Sequence, residues 1–341
     1  MSDEDFSAAL KRVTDGETLD GGTTTRTFAH ILSGQVADAD LAAFLTAFSK
    51  RKPTVAEIVG AARALRAAMT TVEAGQQAID LCGTGGDNHG TLNVSTACAF
   101  VVAAAGVQVA KHGNRNMSSK SGTADVLEAL GAKIDLGPEG ALACLRQANL
   151  CFLFAQTYHP GMKHVAQVRR TLGFRTIFNL LGPLANPAKV KRQLIGVYAK
   201  DMLEPMAQAL KELGADKAWI VHGGDGLDEM TTTDITHVAM LEGGRITMKD
   251  VSPRELGLNR ATLSALKGGT AEENAGRLKK LLAGAHGAYR DIVLLNSAGA
   301  LVVAGLANDL KTGAAMAAAA IDKGQANRTL DKFVAASRAA A

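Results

Sequence analysis

The stretch Ile79-Asp80-Leu81-Cys82-Gly83-Thr84-Gly85-Gly86-Asp87-Asn88-His89-Gly90-Thr91-Leu92-Asn93-Val94-Ser95-Thr96 reads as a strand, a glycine turn and the start of an apolar helix. Gly83, Gly85 and Gly86 let the backbone come close to a ligand, because no Cβ stands in the way. Asn93 or Ser95 can cap the helix, whose first amides and positive dipole end make an anion site. A purely structural tight turn is the alternative for this loop taken alone. Two nucleotide motifs fail here. The dinucleotide fingerprint needs a third glycine where Asn88 stands and an acid about 20 residues further on. No Asp or Glu occurs from Asn88 to Ala124. The Walker pattern fails too, since Ser119 rather than glycine precedes Lys120-Ser121.

The same grammar continues beyond this loop. Short β-like runs at 78–81, 107–110, 150–154, 194–198, 218–221 and 237–241 alternate with glycine turns and helices. Such alternation implies a largely parallel sheet with helices on its faces. Before residue 70 the pattern is helical instead. Leu41, Phe44, Leu45 and Phe48 recur at i, i+3, i+4, i+7, and Pro53-Thr54 opens a second helix with Ile58, Ala62, Leu65 and Met69 on one face. The fold expected is α/β: a small all-helical domain over 1–70, then a large α/β domain over 71–341 with a mostly parallel central sheet. Ile321, Leu330, Phe333 and Val334 in the Ala-rich end suggest helices that dock on the body.

After the second strand comes Lys111-His112-Gly113-Asn114-Arg115-Asn116-Met117-Ser118-Ser119-Lys120-Ser121-Gly122-Thr123, followed by a helical run over 124–130 that Gly131 ends. Lone basic residues are usually solvated surface. Three cations beside four hydroxyls, with no acid in the turn, are better explained by phosphate oxygens. In a parallel sheet both turns gather at the carboxyl edge and face one cleft. Two anion sites there suit a ligand with phosphate at both ends.

A third turn, His222-Gly223-Gly224-Asp225-Gly226-Leu227-Asp228-Glu229, carries three acids. A solvated acidic turn would explain a lone Asp-Glu. Beside two anion loops, Asp228 and Glu229 fit Mg²⁺, which takes one or two carboxylates plus phosphate oxygens. His159 and His164 are badly spaced for a metal, and His222 reads as a turn residue.

Composition narrows the field. The 341 residues are 47% hydrophobic and 4% aromatic, with a net charge of +4, so a core is affordable and nucleic acid is an unexpected partner. Cys82, Cys98, Cys144 and Cys151 form no C-x-x-C pair and suit reduced structural thiols. The acidic start MSDEDFSAALKR is unlike a signal peptide, and the longest apolar run, 97–107, is too short for a bilayer. A cytoplasmic location is expected.

With these residues in view, nearly the whole chain resembles the anthranilate phosphoribosyltransferase family. Gly83-Thr84-Gly85-Gly86-Asp87, Asn93-Val94-Ser95-Thr96, Lys111-His112-Gly113-Asn114-Arg115 and Ser118-Ser119-Lys120-Ser121-Gly122 resemble its phosphoribosyl pyrophosphate motifs. Val168-Arg169-Arg170-Thr171-Leu172-Gly173 and Arg175-Thr176-Ile177-Phe178-Asn179 resemble its aromatic-substrate region, and Asp225-Gly226-Leu227-Asp228-Glu229 its metal loop. The resemblance implies a nucleoside-phosphorylase-type fold, a segment near 165–190 that returns to the small domain, and a homodimer. It implies phosphoribosyl pyrophosphate contacts from Gly83, Gly86, Asp87, Thr91, Asn93, Val94, Ser95, Thr96, Lys111, His112, Gly113, Asn114, Arg115, Asn116, Met117, Ser118, Ser119 and Thr123. Gly83, Asn114 and Arg169 would contact anthranilate, and Ser95, Asp228 and Glu229 would hold Mg²⁺. No general base is assigned; His112 is a candidate, with ordinary hydrogen bonding as its alternative. Thr123 stands where serine is common, and Asn116-Met117 replaces a smaller pair. Two other readings are a pyrimidine nucleoside phosphorylase-like enzyme, which would not need Asp228-Glu229, and a non-catalytic nucleic-acid-binding relative, which would lose that pair or Arg169.

Overall fold

A computed structural model describes residues 1–115 and 121–341. Four helices come first: α1 (Asp3–Thr14), α2 (Gly21–Leu32), α3 (Asp38–Ser49) and α4 (Val55–Ala67). Their starts are written locally. Asp20 caps α2 through Thr23 N–H, and Thr54 and Glu57 form a reciprocal capping box on α4. Next are β1 (Ile79–Gly83), α5 (Val94–Ala104), β2 (Val109–Gly113), α6 (Thr123–Ala129), α7 (Pro138–Ala148), β3 (Leu150–Phe154), α8 (Ala155–Tyr158), α9 (Lys163–Leu172) and α10 (Phe178–Leu184). The remainder is β4 (Arg192–Gly196), α11 (Leu203–Glu212), β5 (Lys217–Gly223), β6 (Thr236–Glu242), β7 (Arg245–Val251), α12 (Ala271–Leu282), α13 (Ala288–Ala304), α14 (Leu310–Asp322) and α15 (Gln325–Ala339).

One seven-stranded sheet runs in the order β3-β2-β1-β4-β5-β6-β7. The first five are parallel, while β5–β6 and β6–β7 are antiparallel. The strand pattern anticipated the parallel part but not β7. That strand is an edge carrying Arg245, Lys249 and Asp250 and an exposed Met248, so no apolar run announces it. Gly243 and Gly244, at φ 56° and 73°, supply the two left-handed positions of the tight turn that joins it to β6.

Alternate residues on the strands enter two separate apolar layers, as a pleated sheet requires. Leu194, Trp219, Val221 and Val238 join the layer of α5, α7, α13 and α15. Ile195, Ala218, Ile220 and Ala239 join α11 and the N-terminal helices. Phe28 meets Phe44 and Phe178 at centroid distances of 6.0 and 5.5 Å, so α10 is tied to the α2–α3 core. Helix α5 is apolar all round and buried on every side, which fixes its N-terminus rigidly below the glycine loop. The four cysteines are free, with Cys98, Cys144 and Cys151 buried. Among the described residues no helix is long and apolar enough to cross a membrane.

Candidate active site

The chain order reverses at β1, whose neighbours are β2 on one side and β4 on the other. Crevices open at the carboxyl ends of strands at such a point. Gly83 and Gly196 are register partners at those ends. Both glycines are needed because the acidic turn crosses directly above them. A Cβ on Gly83 would strike the Asp228 carboxylate, and one on Gly196 would strike the Asp228 backbone. The glycine loop is then bound to its surroundings. Gly85 N–H donates to Asp228 Oδ2 at 2.7 Å, Thr84 N–H to the Gly196 carbonyl at 2.9 Å, and Tyr198 N–H to Thr84 Oγ1 at 3.1 Å. Gly85, Gly86 and Gly90 take positive φ, which only glycine adopts freely.

Three acids share this spot. Burial, then the charges of Asp87 and Glu229, push the Asp228 carboxyl well above the usual range. Burial raises Glu229 to about 7, with Lys111 opposing and Asp87 adding to the rise. Ser95 N–H hydrogen-bonds the Glu229 carboxylate, so Ser95, Asp228 and Glu229 do converge. Asp87 is the acid that the sequence did not associate with this pair. Among the described residues no group of three or more His, Cys, Asp or Glu side chains is arranged to hold a metal ion by itself, so substrate oxygens and water would have to complete the shell. Hard oxygen donors whose mutual repulsion Lys111 and backbone N–H groups relieve only in part fit Mg²⁺, which keeps positions open for such ligands.

Lys111 enters from β2 and is 3% exposed. Its Nζ donates to the Leu81 carbonyl at 2.6 Å and to Ser95 Oγ at 3.1 Å, so it is a fixed charge beneath the glycine loop. Thr96 Oγ1 donates to Thr123 Oγ1 at 3.1 Å and links the first turns of α5 and α6. Thr91 forms an isolated bridge with Lys267. Asn93 is the residue before α5 but makes no side-chain cap; its amide bonds Ser121 and Asn274 instead. Val94 is core. Asn114 is exposed and accepts Arg115 N–H at its Oδ1. Arg115 is held by Asp125 and Glu128 of α6 and lies over the Phe154 ring, 5.7 Å from its centroid. The acids absent from the basic turn are therefore supplied by the helix after it. Asn116, Met117, Ser118 and Ser119 lie outside the described residues, as does Lys120.

His112 does not suit a base. Its Nδ1 lies 3.1 Å from the Gly182 carbonyl and its Nε2 lies 3.2 Å from His159 Nε2. Burial drives its pKa down to about 3 and that of His159 to about 4. With Nδ1–H donating to Gly182, His112 Nε2 accepts from His159, and no lone pair is left for a substrate.

Across the cleft, the last turn of α9 carries Arg169, half-buried, 5.6 Å from the Phe178 centroid and 3.5 Å from Asn179 Oδ1. Burial depresses its pKa. Arg170 is exposed and donates to Gln167 Oε1. Arg175 bonds the Gly86 carbonyl and stacks on Tyr198 at 4.5 Å, joining this wall to the glycine loop. No sequence pattern had assigned that bridging role to Arg175, nor had any singled out Gly196 or Asn274; each acts through a partner far away in the chain.

Residues 75–327 match the glycosyl transferase family a/b domain, and 7–69 match the glycosyl transferase family helical bundle domain. The anthranilate phosphoribosyltransferase of Parvibaculum lavamentivorans is 52% identical over 332 residues, covering 97% of both chains. The crystal structure of the Thermus thermophilus anthranilate phosphoribosyltransferase superposes with a TM-score of 0.91 at 41% identity, over 97% of this chain and 99% of that one. The Saccharomyces cerevisiae enzyme in complex with PRPP and Mg has a TM-score of 0.91 at 28% identity, over 99% of each chain. With half its residues shared along nearly its full length, the chain belongs to the anthranilate phosphoribosyltransferase family.

Proposed function

We propose that this chain transfers the 5-phosphoribosyl group of phosphoribosyl pyrophosphate to the amine of anthranilate, releasing pyrophosphate and N-(5-phosphoribosyl)anthranilate, a step of tryptophan biosynthesis. The observation that carries this reading is the crossing of the Asp228-Glu229 turn over Gly83 and Gly196, which sets hard oxygen donors beside an anion-binding loop. Asp228, Glu229 and Ser95 would hold Mg²⁺. Bound there, the ion would neutralise pyrophosphate charge and ease its departure.

The rest falls to the chain's own groups. As the C1–O bond loosens, positive charge grows on the ribose and negative charge on pyrophosphate. The α5 amides and the Lys111 ammonium are already in place for the negative charge, and a preorganised donor of this kind contributes about 3 kcal/mol. Arg169 pairs with the anthranilate carboxylate and directs the amine at C1, so the N–C1 bond forms as C1–O breaks. The amine then sheds its proton to solvent. We assign the glycine loop residues Gly83, Gly86, Asp87, Thr91 and Asn93, with Val94, Ser95 and Thr96, to phosphoribosyl pyrophosphate. Lys111, Gly113, Asn114, Arg115 and Thr123 complete that set, and Gly83, Asn114 and Arg169 face anthranilate; His112, whose ring nitrogens and N–H are already bonded, drops out of it. We place the domain division near residue 70, with the segment near 165–190 returning to the helices, and take the enzyme to be a cytoplasmic homodimer.

Mixing the protein with anthranilate, phosphoribosyl pyrophosphate and Mg²⁺ tests the reaction by loss of anthranilate fluorescence. Unchanged fluorescence over hours with micromolar enzyme would reject it.

A further inference from the structure

Asn274, in the first turn of α12, is 2% exposed and its amide is fully occupied. Its Oδ1 accepts Gly269 N–H at 2.8 Å. Its Nδ2 donates to Asn93 Oδ1 at 2.9 Å and to Ser121 Oγ at 2.8 Å. Those partners lie 181 and 153 residues away in the chain. Asn93 closes the glycine loop, and Ser121 closes the basic turn. One side chain therefore ties both loops to a third element.

The backbone before α12 reinforces the tie. Leu92 N–H donates to the Leu266 carbonyl and Gly268 N–H to the Gly90 carbonyl, both at 2.9 Å. A Cβ on Gly268 would come within 2.6 Å of the Thr91 carbonyl oxygen, so the two segments touch along their backbones. Asn93 Nδ2 also reaches the Ser121 carbonyl at 3.4 Å. Only a primary amide offers one acceptor and two donors from a single short side chain. Aspartate keeps the acceptor and loses both donors. Alanine loses all three and leaves buried polar groups without partners.

We infer that Asn274 is a positioning residue that sets the separation of the glycine loop and the basic turn. It thereby fixes the site for a substrate bearing phosphate at both ends. This rests on the reading that the two loops bind phosphoribosyl pyrophosphate. Asn274 touches no reacting atom. Its effect runs through Asn93 and Ser121, and misplacement by about 1 Å can cost on the order of 100-fold in rate.

The test compares Asn274→Ala, Asn274→Asp and Leu278→Ala in the full-length enzyme. Leu278 is a fully buried apolar residue of the same helix and controls for lost stability. Both Asn274 variants are expected to raise the KM for phosphoribosyl pyrophosphate about tenfold or more, an effect of about 1.4 kcal/mol. The KM for anthranilate should stay within about twofold. Leu278→Ala should lower Tm and leave both KM values in place. Should Asn274→Ala not fold, Asn274→Asp decides, because it retains the bond to Gly269 N–H. An unchanged KM for phosphoribosyl pyrophosphate in Asn274→Asp, or equal losses for both substrates, overturns the inference. A wild-type enzyme inert toward phosphoribosyl pyrophosphate overturns the functional reading itself, whatever the variants do.

Discussion

The glycine loop after β1 and the basic turn after β2 leave adjacent parallel strands at the same sheet edge, yet beyond their shared tie to Asn274 they are held differently. The glycine loop is fastened by elements far along the chain: Asp228 at Gly85, Arg175 at Gly86, and the segment before α12 at Gly90 and Leu92. Of its own side chains, Thr84 accepts Tyr198 N–H and Asn93 bonds Ser121 and Asn274, again partners far along the chain or in the other turn. The basic turn instead carries its charge at two depths. Lys111 is buried at the base and bonded inward, while Arg115 is exposed and paired with the next helix. Similar anion-binding grammar thus produces a cradle shaped by its neighbours and an arm whose described cations are already bonded, Lys111 inward and Arg115 to α6. On the proposed reading the first would bind by backbone shape and the second by ionic attraction.

The strongest way to break that contrast is to remove what crosses the glycine loop. Asp228→Asn with Glu229→Gln should lower kcat by roughly 10²–10³-fold or more. Thermal stability should not fall, since two carboxyls strained by burial are neutralised. Full activity of this variant in steady-state assays with Mg²⁺ would take the acids out of the mechanism.

The far wall comes next. Arg169→Ala should raise the KM for anthranilate by roughly 10- to 100-fold, the effect of losing a charge-assisted bond of about 1.5–3 kcal/mol. The KM for phosphoribosyl pyrophosphate should scarcely change, and Arg170→Ala should alter neither constant much. Equal loss for both substrates would move Arg169 to the phosphate side.

Lys111→Ala and Arg115→Ala then sharpen the comparison within the basic turn. Both should weaken phosphoribosyl pyrophosphate binding in calorimetry. Only Lys111→Ala should also destabilise the fold, by about 1–3 kcal/mol, because it leaves the Leu81 carbonyl buried without its donor. Arg115→Ala should cost about 0–1 kcal/mol, as exposed ion pairs do. Matching stability losses would erase the distinction of depth.

The smallest effect is on pH. Glu229 has a folded pKa of about 7 against an ordinary 4.5, so folding favours its protonated form. Without divalent cations its contribution is least unfavourable below pH 4.5 and worsens as the pH rises toward 7. Relative to Glu229→Gln, the wild type should therefore lose roughly 2–4 °C of Tm across that window. Parallel Tm–pH curves would show that the carboxyl is not strained.

Where local pattern sufficed, the sequence was legible. The α3 stripe of Leu41, Phe44, Leu45 and Phe48, and the strand and apolar helix on either side of the glycine loop, need only neighbours in the chain, and these formed as read. The antiparallel end escaped, because β7 has no apolar run and its pairing rests on the Gly243-Gly244 turn. Asn93, one of two candidate caps with Ser95, instead bonds Ser121 and Asn274 through its amide. A cap is a local choice, and here a tertiary partner outcompeted it. Arg115 escaped similarly: counting acids within the turn missed Asp125 and Glu128 one helix away.

The sequence by itself determined the chemistry on offer: glycine turns for close approach, cations for phosphate and paired acids for a divalent ion. It also determined the periodicity that makes helices first and a sheet afterwards. The tertiary structure alone decided which groups meet. Asp87 joins Asp228 and Glu229, Lys111 lies under Ser95, Arg175 closes on Gly86, and Asn274 spans two loops. Spacing along a chain fixes contacts only within a few residues, whereas these contacts close loops of sixteen to nearly two hundred residues. Only the packed sheet and its buried helices can select such partners, because burial makes each unsatisfied polar group expensive enough to exclude the alternatives.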